Sequence, residues 1–299
     1  LMLRSKGCSD ASTIHSLIYR PIEQRDGSVR YELNDHGPLS NADLLVVDEC
    51  SMVDKDLATD LLSFRVPMIV LGDPAQLPPV SGAGYFTDAR PDAMLTEIHR
   101  QVRDNPIIRM SIDVREGRAL AKGTYGISRV VSRADVSEQD ILKADQILVG
   151  RNVTRQNINR KVRDHMGRPP GRASVHDKLV CLKNNADRGL LNGGLWTVKC
   201  ATSDLGYQKL RVASEDDGTR VEVKVPDEFF TGTEAKLTWQ QRKRFDEFTY
   251  GYALTVHKSQ GSQWDDVIVL DESSFFREHA RNHLYTAITR AAKRVTVVQ

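Results

Sequence analysis

Apolar residues in this chain cluster in short continuous runs, each ending abruptly in acids, glycine or polar turns. Leu44-Leu45-Val46-Val47 stops at Asp48-Glu49, and Met68-Ile69-Val70-Leu71 stops at Gly72-Asp73-Pro74. Ile147-Leu148-Val149 stops at Gly150-Arg151-Asn152, Val267-Ile268-Val269-Leu270 stops at Asp271-Glu272, and Val295 to Val298 closes the chain. Runs this short and this apolar predict strands buried on both faces, as in parallel sheets. Helical patterns lie between them. Asn105-Pro106 opens one and Gly117 closes it, an N-cap, a first-turn proline and a C-terminal glycine. Thr154 is placed to cap a second, with Ile158, Val162 and Met166 stacked four apart and Gly167 after it. Asn282 to Lys293 reads as a third. Strands alternating with helices predict a doubly wound α/β fold.

Residues 171–238 break that rhythm. Lys178–Leu182, Leu195–Val198, Lys209–Val212 and Arg220–Val225 alternate in the manner of antiparallel strands, with hairpin turns at Asn192-Gly193-Gly194 and Asp217-Gly218. The segment reads as a small antiparallel β-barrel inserted into the second α/β domain. A smaller hairpin is expected at 22–33, turning at Arg25-Asp26-Gly27-Ser28.

Composition changes this picture little. A length of 299 residues suits two domains, and 40% hydrophobic with 27% charged residues is an ordinary globular balance. No run approaches the roughly 18 apolar residues of a membrane span. Residues 1–6 lack the apolar core of a signal peptide. The net charge of +2 does not mark a nucleic-acid binder. Arg151, Arg155, Arg160, Lys161, Arg163, Arg168 and Arg172 face only Asp164 in their stretch, which fits either a solvated helix face or a local basic groove. The four cysteines form no CxxC pair, which favours a reducing, cytoplasmic setting over zinc or disulfides.

The chemistry concentrates at strand ends. Asp48 and Glu49 follow a buried strand, where ligands of open parallel sheets bind. Asp48 suits Mg²⁺ held through water, and Glu49 suits the orientation or deprotonation of an attacking water. A plain acidic strand ending remains the alternative, since Asp271-Glu272 has the same form. After the next run comes Gly72-Asp73-Pro74-Ala75-Gln76-Leu77-Pro78-Pro79-Val80. The Gln76 amide both donates and accepts, suiting it to sense a γ-phosphate or its water. Pro78-Pro79 stiffens the end of this segment, so that a shift at Gln76 is passed on rigidly.

With these residues in view, the chain resembles the RecD-like superfamily 1 helicases. Asp48-Glu49-Cys50-Ser51, Gly72 to Val80 and Glu97-Ile98-His99-Arg100-Gln101 look like that family's second, third and fourth motifs. Thr255-Val256-His257-Lys258-Ser259-Gln260-Gly261-Ser262 looks like the fifth, Leu284 to Ala291 like the sixth, and Ala11 to His15 like an early DNA-contacting motif. The resemblance implies two RecA-like parallel-sheet domains, the first incomplete (1–95), the second formed by 96–170 and 239–299, with the barrel at 171–238. It implies ATP and Mg²⁺ between them, with Glu49, Gln76 and two arginine fingers, Arg100 and Arg290, in catalysis. It implies Asp48, Gln260, Gly261 and Gln263 at the nucleotide, and Thr13, His15, Pro78, Thr255, His257 and Lys258 along single-stranded DNA. The hairpin at 22–33 would sit where relatives carry a duplex-splitting pin. Gln263 departs from the family's usual Glu, which puts a sugar contact in doubt. His279 and His283 stand four apart but lack a third ligand, so a structural role is expected.

The family's phosphate loop, GxxxxGK followed by Ser or Thr, does not occur between Leu1 and Gln299. The expected account is N-terminal truncation. An ATP-driven helicase or translocase is the leading expectation, moving 5′ to 3′ on single-stranded DNA and at duplex junctions. A single-strand-binding fragment without ATPase activity, and the motor portion of a nuclease-helicase or relaxase, remain alternatives.

Overall fold

A computed structural model describes residues 7–8, 10–24, 29–79, 82, 84–95, 105–185 and 188–299. Arg100 with the rest of the fourth motif, Val80, and the 25–28 turn lie outside the described residues. The chain divides into two compact units. Unit 1 holds residues 1–130, 260–265 and 273–295; unit 2 holds 131–259, 266–272 and 296–299.

Unit 1 starts with α1 (Ile14–Ile18), capped by Thr13, whose hydroxyl accepts from the Ser16 amide. Strands β1 (Tyr19–Glu23) and β2 (Val29–Leu33) pair antiparallel, with Tyr19 opposite Leu33. Next come β3 (Leu45–Val47), α2 (Lys55–Ser63, capped by Asp54) and β4 (Met68–Val70). β3 and β4 pair parallel, with Leu45 opposite Met68. Ile18, Leu39, Val47, Cys50, Val53, Ala58 and Leu61 pack one face of this layer. Its other face differs from expectation. Leu44, Val46, Ile69 and Leu71 are each about half exposed, so this strand pair is covered on one side only among the described residues. Helix α3 (Pro106–Arg115) begins as its sequence predicts, with Asn105 accepting from the Ile107 amide. It leads to the antiparallel pair β5 (Gly123–Tyr125) and β6 (Ser128–Val131).

Unit 2 carries α4 (Glu138–Lys143), β7 (Gln146–Val149) and α5 (Asn152–His165). Every β7 residue is buried, as a central strand requires. Strands β8 (Lys178–Cys181), β9 (Leu195–Asp204), β10 (Tyr207–Ser214) and β11 (Arg220–Pro226) follow. After the short helices α6 (Glu228–Thr231) and α7 (Trp239–Lys243) comes β12 (Phe248–Tyr250). These strands form a five-stranded sheet, β11-β10-β9-β8-β12, antiparallel at each described pairing. The pairings among the described residues do not confirm the expected barrel. Among the described residues no ladder joins β11 to β12, although the Asp246 amide donates to the Lys224 carbonyl where their edges approach. Leu179, Trp196, Val198, Leu210, Val223 and Phe248 belong to its core.

The chain then runs through β13 (Ala253–Thr255), α8 (Val256–Ser259) and β14 (Trp264–Leu270). Both β13 and β14 pair parallel to β7. Last come α9 (Ala280–Ile288) and β15 (Ala291–Val298). Two sequence expectations shift here. The third helix ends at Ile288 rather than Lys293, because 291–298 is a strand with a buried end. Helix α5 starts at Asn152, so Thr154 lies inside it and does not cap it.

Candidate functional site

The acidic pair sits at a sharp bend. Beyond β3, Asp48 is exposed and its Oδ1 accepts from the Glu49 amide at 2.9 Å. Glu49 has φ 54° and ψ 47°, the left-handed region that a side chain rarely adopts. That twist turns the chain into the short helical turn Cys50–Met52. The Cys50 amide donates to the Leu71 carbonyl, which brings the ends of β3 and β4 together. Gly72 is obligatory at this approach. A Cβ there would fall 2.3 Å from Cys50 Sγ and 3.2 Å from Cys50 N.

The following loop, Asp73 to Leu77, is gripped from several sides within unit 1. The Leu77 amide donates to Thr286 Oγ1 at 2.7 Å, and Gln260 Nε2 donates to the Leu77 carbonyl at 2.8 Å. Asn282 Nδ2 donates to the carbonyls of Ala75 and Gln76, each at 3.1 Å, and more distantly to Pro74. The Tyr285 hydroxyl donates to Asp73 Oδ2 at 2.5 Å. Burial and the adjacent Asp73 carboxylate hold that phenol well above the ordinary tyrosine pKa. Among the described residues, Gln76 Oε1, Gln260 Oε1 and Ser51 Oγ are buried and have no hydrogen-bond partner. Such atoms are costly unless something else satisfies them.

Arg290 follows α9 and is 7% exposed. Its guanidinium donates to the carbonyls of Thr286 and Ser262 and to Thr289 Oγ1. Among the described residues no carboxylate lies within ion-pair distance of it. Burial lowers its pKa, opposed by the charge of Glu49, then Tyr285 and Asp73. A guanidinium with no bonded carboxylate among the described residues can pair with an anion. Arg290 thus shares one compact unit with Asp48, Glu49, Gln76 and Gln260. The resemblance had assigned it to the second domain. Gly261 has φ 76° with open space around it, and Gln263 is exposed.

The remaining residues lie elsewhere. Thr13 and His15 are exposed, with His15 tilted on Tyr19 at 5.6 Å, and Pro78 is part-buried. In unit 2, Thr255 ends β13 and is 9% exposed. His257 and Lys258 lie on α8, and burial lowers both their pKa values. Lys258 Nζ donates to Asn192 Oδ1 at 2.5 Å, in the first hairpin turn of the insert.

In the look-alike acidic pair, Glu272 is spent on structure. Glu272 is 5% exposed and accepts from the Gly150 and Arg151 amides, from the Arg151 guanidinium and from Thr154 Oγ1. It caps α5, where the helix dipole favours a carboxylate. Much of the basic run is also committed. Arg151 pairs with Glu272, Arg163 and Arg168 with Asp177, and Arg172 with Asp227. His283 is fully buried and stacks on Phe276 at 4.0 Å. Among the described residues no three His, Cys, Asp or Glu side chains cluster as a metal site.

Sequence reasoning did not single out Asp73, Asn282, Tyr285 and Thr286 as holders of the Gln76 loop. The available signal was the spacing of 282, 285 and 286, which shares one helix face.

Two regions of the chain match known domain families. Residues 2–135 match an AAA domain, and residues 250–298 match a UvrD-like helicase C-terminal domain. The chain is 29% identical over 311 residues to the ATP-dependent RecD2 DNA helicase of Deinococcus radiodurans, covering 95% of this chain and 39% of that protein. It is 27% identical over 333 residues to the RecBCD enzyme subunit RecD of Mycolicibacterium smegmatis, covering 96% of this chain and 55% of that protein. It therefore spans about two fifths to just over half of these relatives. In fold it is similar to Bacteroides Pif1 bound to ssDNA, with TM-score 0.60, 18% identity, and coverage of 96% of this chain and 79% of that one. The chain is accordingly similar to RecD2 and RecD helicase proteins along nearly its whole length.

Proposed function

We propose that this chain is the motor portion of an ATP-dependent DNA helicase, coupling ATP hydrolysis to movement along single-stranded DNA. The observation that carries the reading is Arg290. It is a buried guanidinium with no bonded carboxylate among the described residues, in the same unit as an exposed Asp48 and a strained Glu49.

In this reading Arg290 stabilises charge on the transferring phosphoryl group through its planar fork of donors. Glu49 orients the attacking water and takes its proton. The orphaned amide oxygens of Gln76 and Gln260 are satisfied when nucleotide and its water are present. Gly261 and Gln263 border the nucleotide, and Arg100 serves as a second finger. Asp48 fits a Mg²⁺ held through water, since it is an exposed hard oxygen ligand at the strand end. That ion would neutralise developing phosphate charge. Thr13, His15 and Pro78 in unit 1, and Thr255, His257 and Lys258 in unit 2, each contact the backbone of single-stranded DNA. Lowered pKa values favour neutral His257 as a hydrogen-bonding group there, with Lys258 supplying the charge. The domain scheme proposed is RecA-like regions at 1–95 and at 96–170 with 239–299, with 171–238 inserted.

Similar proteins named RecBCD enzyme subunit RecD and conjugal transfer protein TraA support a place in a larger DNA-processing assembly. The deciding experiment is ATP turnover by the full-length protein with and without single-stranded DNA. Turnover stimulated by single strands is expected. Turnover indifferent to DNA would overturn the reading.

A further inference from the structure

We infer that Asn282 and Tyr285 are positioning residues that hold the Asp73–Leu77 loop against α9, so that this contact between the two proposed RecA-like regions sets where Gln76 stands relative to Arg290. The inference rests on the motor reading and deepens it.

The loop supplies few bonds of its own. The Ala75 amide donates to Asp73 Oδ1 and the Gln76 amide to the Asp73 carbonyl. These make a tight turn in which the carbonyls of Pro74, Ala75 and Gln76 converge. Converging carbonyl dipoles repel one another unless a donor is placed among them. Asn282 Nδ2 is that donor, within 3.1 Å of two and 3.4 Å of the third. Asp73, which shapes the turn through Oδ1, is anchored through Oδ2 by the Tyr285 hydroxyl. The far end of the loop is fixed by Thr286 and Gln260. Every contact from the helix comes from one face of α9, and that helix runs directly into Arg290. Displacing the loop therefore displaces the Gln76 amide relative to the guanidinium. Positioning errors of about 1 Å at a reacting centre cost on the order of 10²-fold in rate.

Asn282→Asp tests the latch with no change of shape. It exchanges the donating amide for an oxygen facing three carbonyl oxygens. In the full-length protein, the variant is expected to lower kcat for ATP by about 10²-fold with KM for ATP unchanged. In a Gln76→Ala background it should add little further, because both changes remove the same function. Tyr285→Phe should show the same non-additivity with a smaller loss, and it supplies the cycle if Asn282→Asp fails to fold. Losses that multiply independently with Gln76→Ala would overturn the inference and assign Asn282 to general stability. Hydrogen exchange gives a readout that needs no ATP turnover. Amides 75–77 are expected to exchange about tenfold faster in Asn282→Asp, with α2 unchanged. Unaltered exchange there would sink the latch even if the motor reading stands. Absent turnover in the wild type, with faster loop exchange in the variant, would sink the motor reading and leave the latch.

Discussion

The backbone amide of Leu77 donates to the hydroxyl of Thr286 at 2.7 Å, joining residues 209 positions apart. Leu77 is 1% exposed, so its amide has no recourse to water. Thr286→Val keeps the shape and removes the acceptor. It is expected to cost roughly 1–3 kcal/mol, the penalty of a stranded buried donor. Thr286→Ser should recover most of it. Urea unfolding of both variants checks this, and equal stability of Val and wild type would refute the bond's importance.

Gly72 and Cys50 make a second close approach. Gly72→Ala places a methyl 2.3 Å from Cys50 Sγ and is expected to cost about 1–3 kcal/mol through overpacking. Adding Cys50→Ala removes the sulfur and should restore part of the loss. Thermal melts of the single and double variants report it. A double variant no better than Gly72→Ala would place the strain elsewhere.

Glu49→Gln keeps the size of the side chain and removes the base. ATP turnover in the full-length protein is expected to fall by about 10²-fold or more. Nucleotide binding, followed by fluorescence of a labelled ATP analogue, should stay within a few-fold of wild type. Full turnover in this variant would remove Glu49 from the chemistry.

Glu272 makes stability depend on acid. Burial pushes its carboxyl pKa up, but hydrogen bonds from Thr154, Arg151 and the Arg151 and Gly150 amides outweigh it, and the net shift is downward. A carboxyl lowered in the folded state stabilises the fold above its unfolded pKa, near 4.5. That contribution is lost as pH falls from there through the lower folded value. Denaturant unfolding between neutral pH and about pH 3 should show the wild type losing more stability than Glu272→Gln. Parallel pH profiles would contradict the cap.

Lys258→Ala is expected to weaken single-strand binding for all sequences and to reduce the salt slope of log K by about 0.7, one phosphate contact on a single strand. Fluorescence anisotropy with oligonucleotides of different composition, over a salt series, measures both. A sequence-selective loss would contradict a backbone track.

The sequence alone announced the elements whose causes are local. The Ile147-Leu148-Val149 run of β7 is buried at every position, as its apolar character required. Asn105-Pro106 opens α3 because a side-chain oxygen and a fixed φ act within one turn. The family resemblance was legible for the same reason, since its motifs are short contiguous words. The features that sequence could not reach are long-range. Asp48-Glu49 and Asp271-Glu272 read alike, yet Glu272 is consumed by partners some 120 positions away while Asp48 stays exposed. No ladder closes the expected barrel among the described residues; closure depends on where the edges β11 and β12 meet, which strand propensity does not encode. The grip of α9 on the Gln76 loop spans more than 200 residues of chain. Hydrogen bonds at that separation exist only after packing has paired the two segments, so tertiary structure alone decided them.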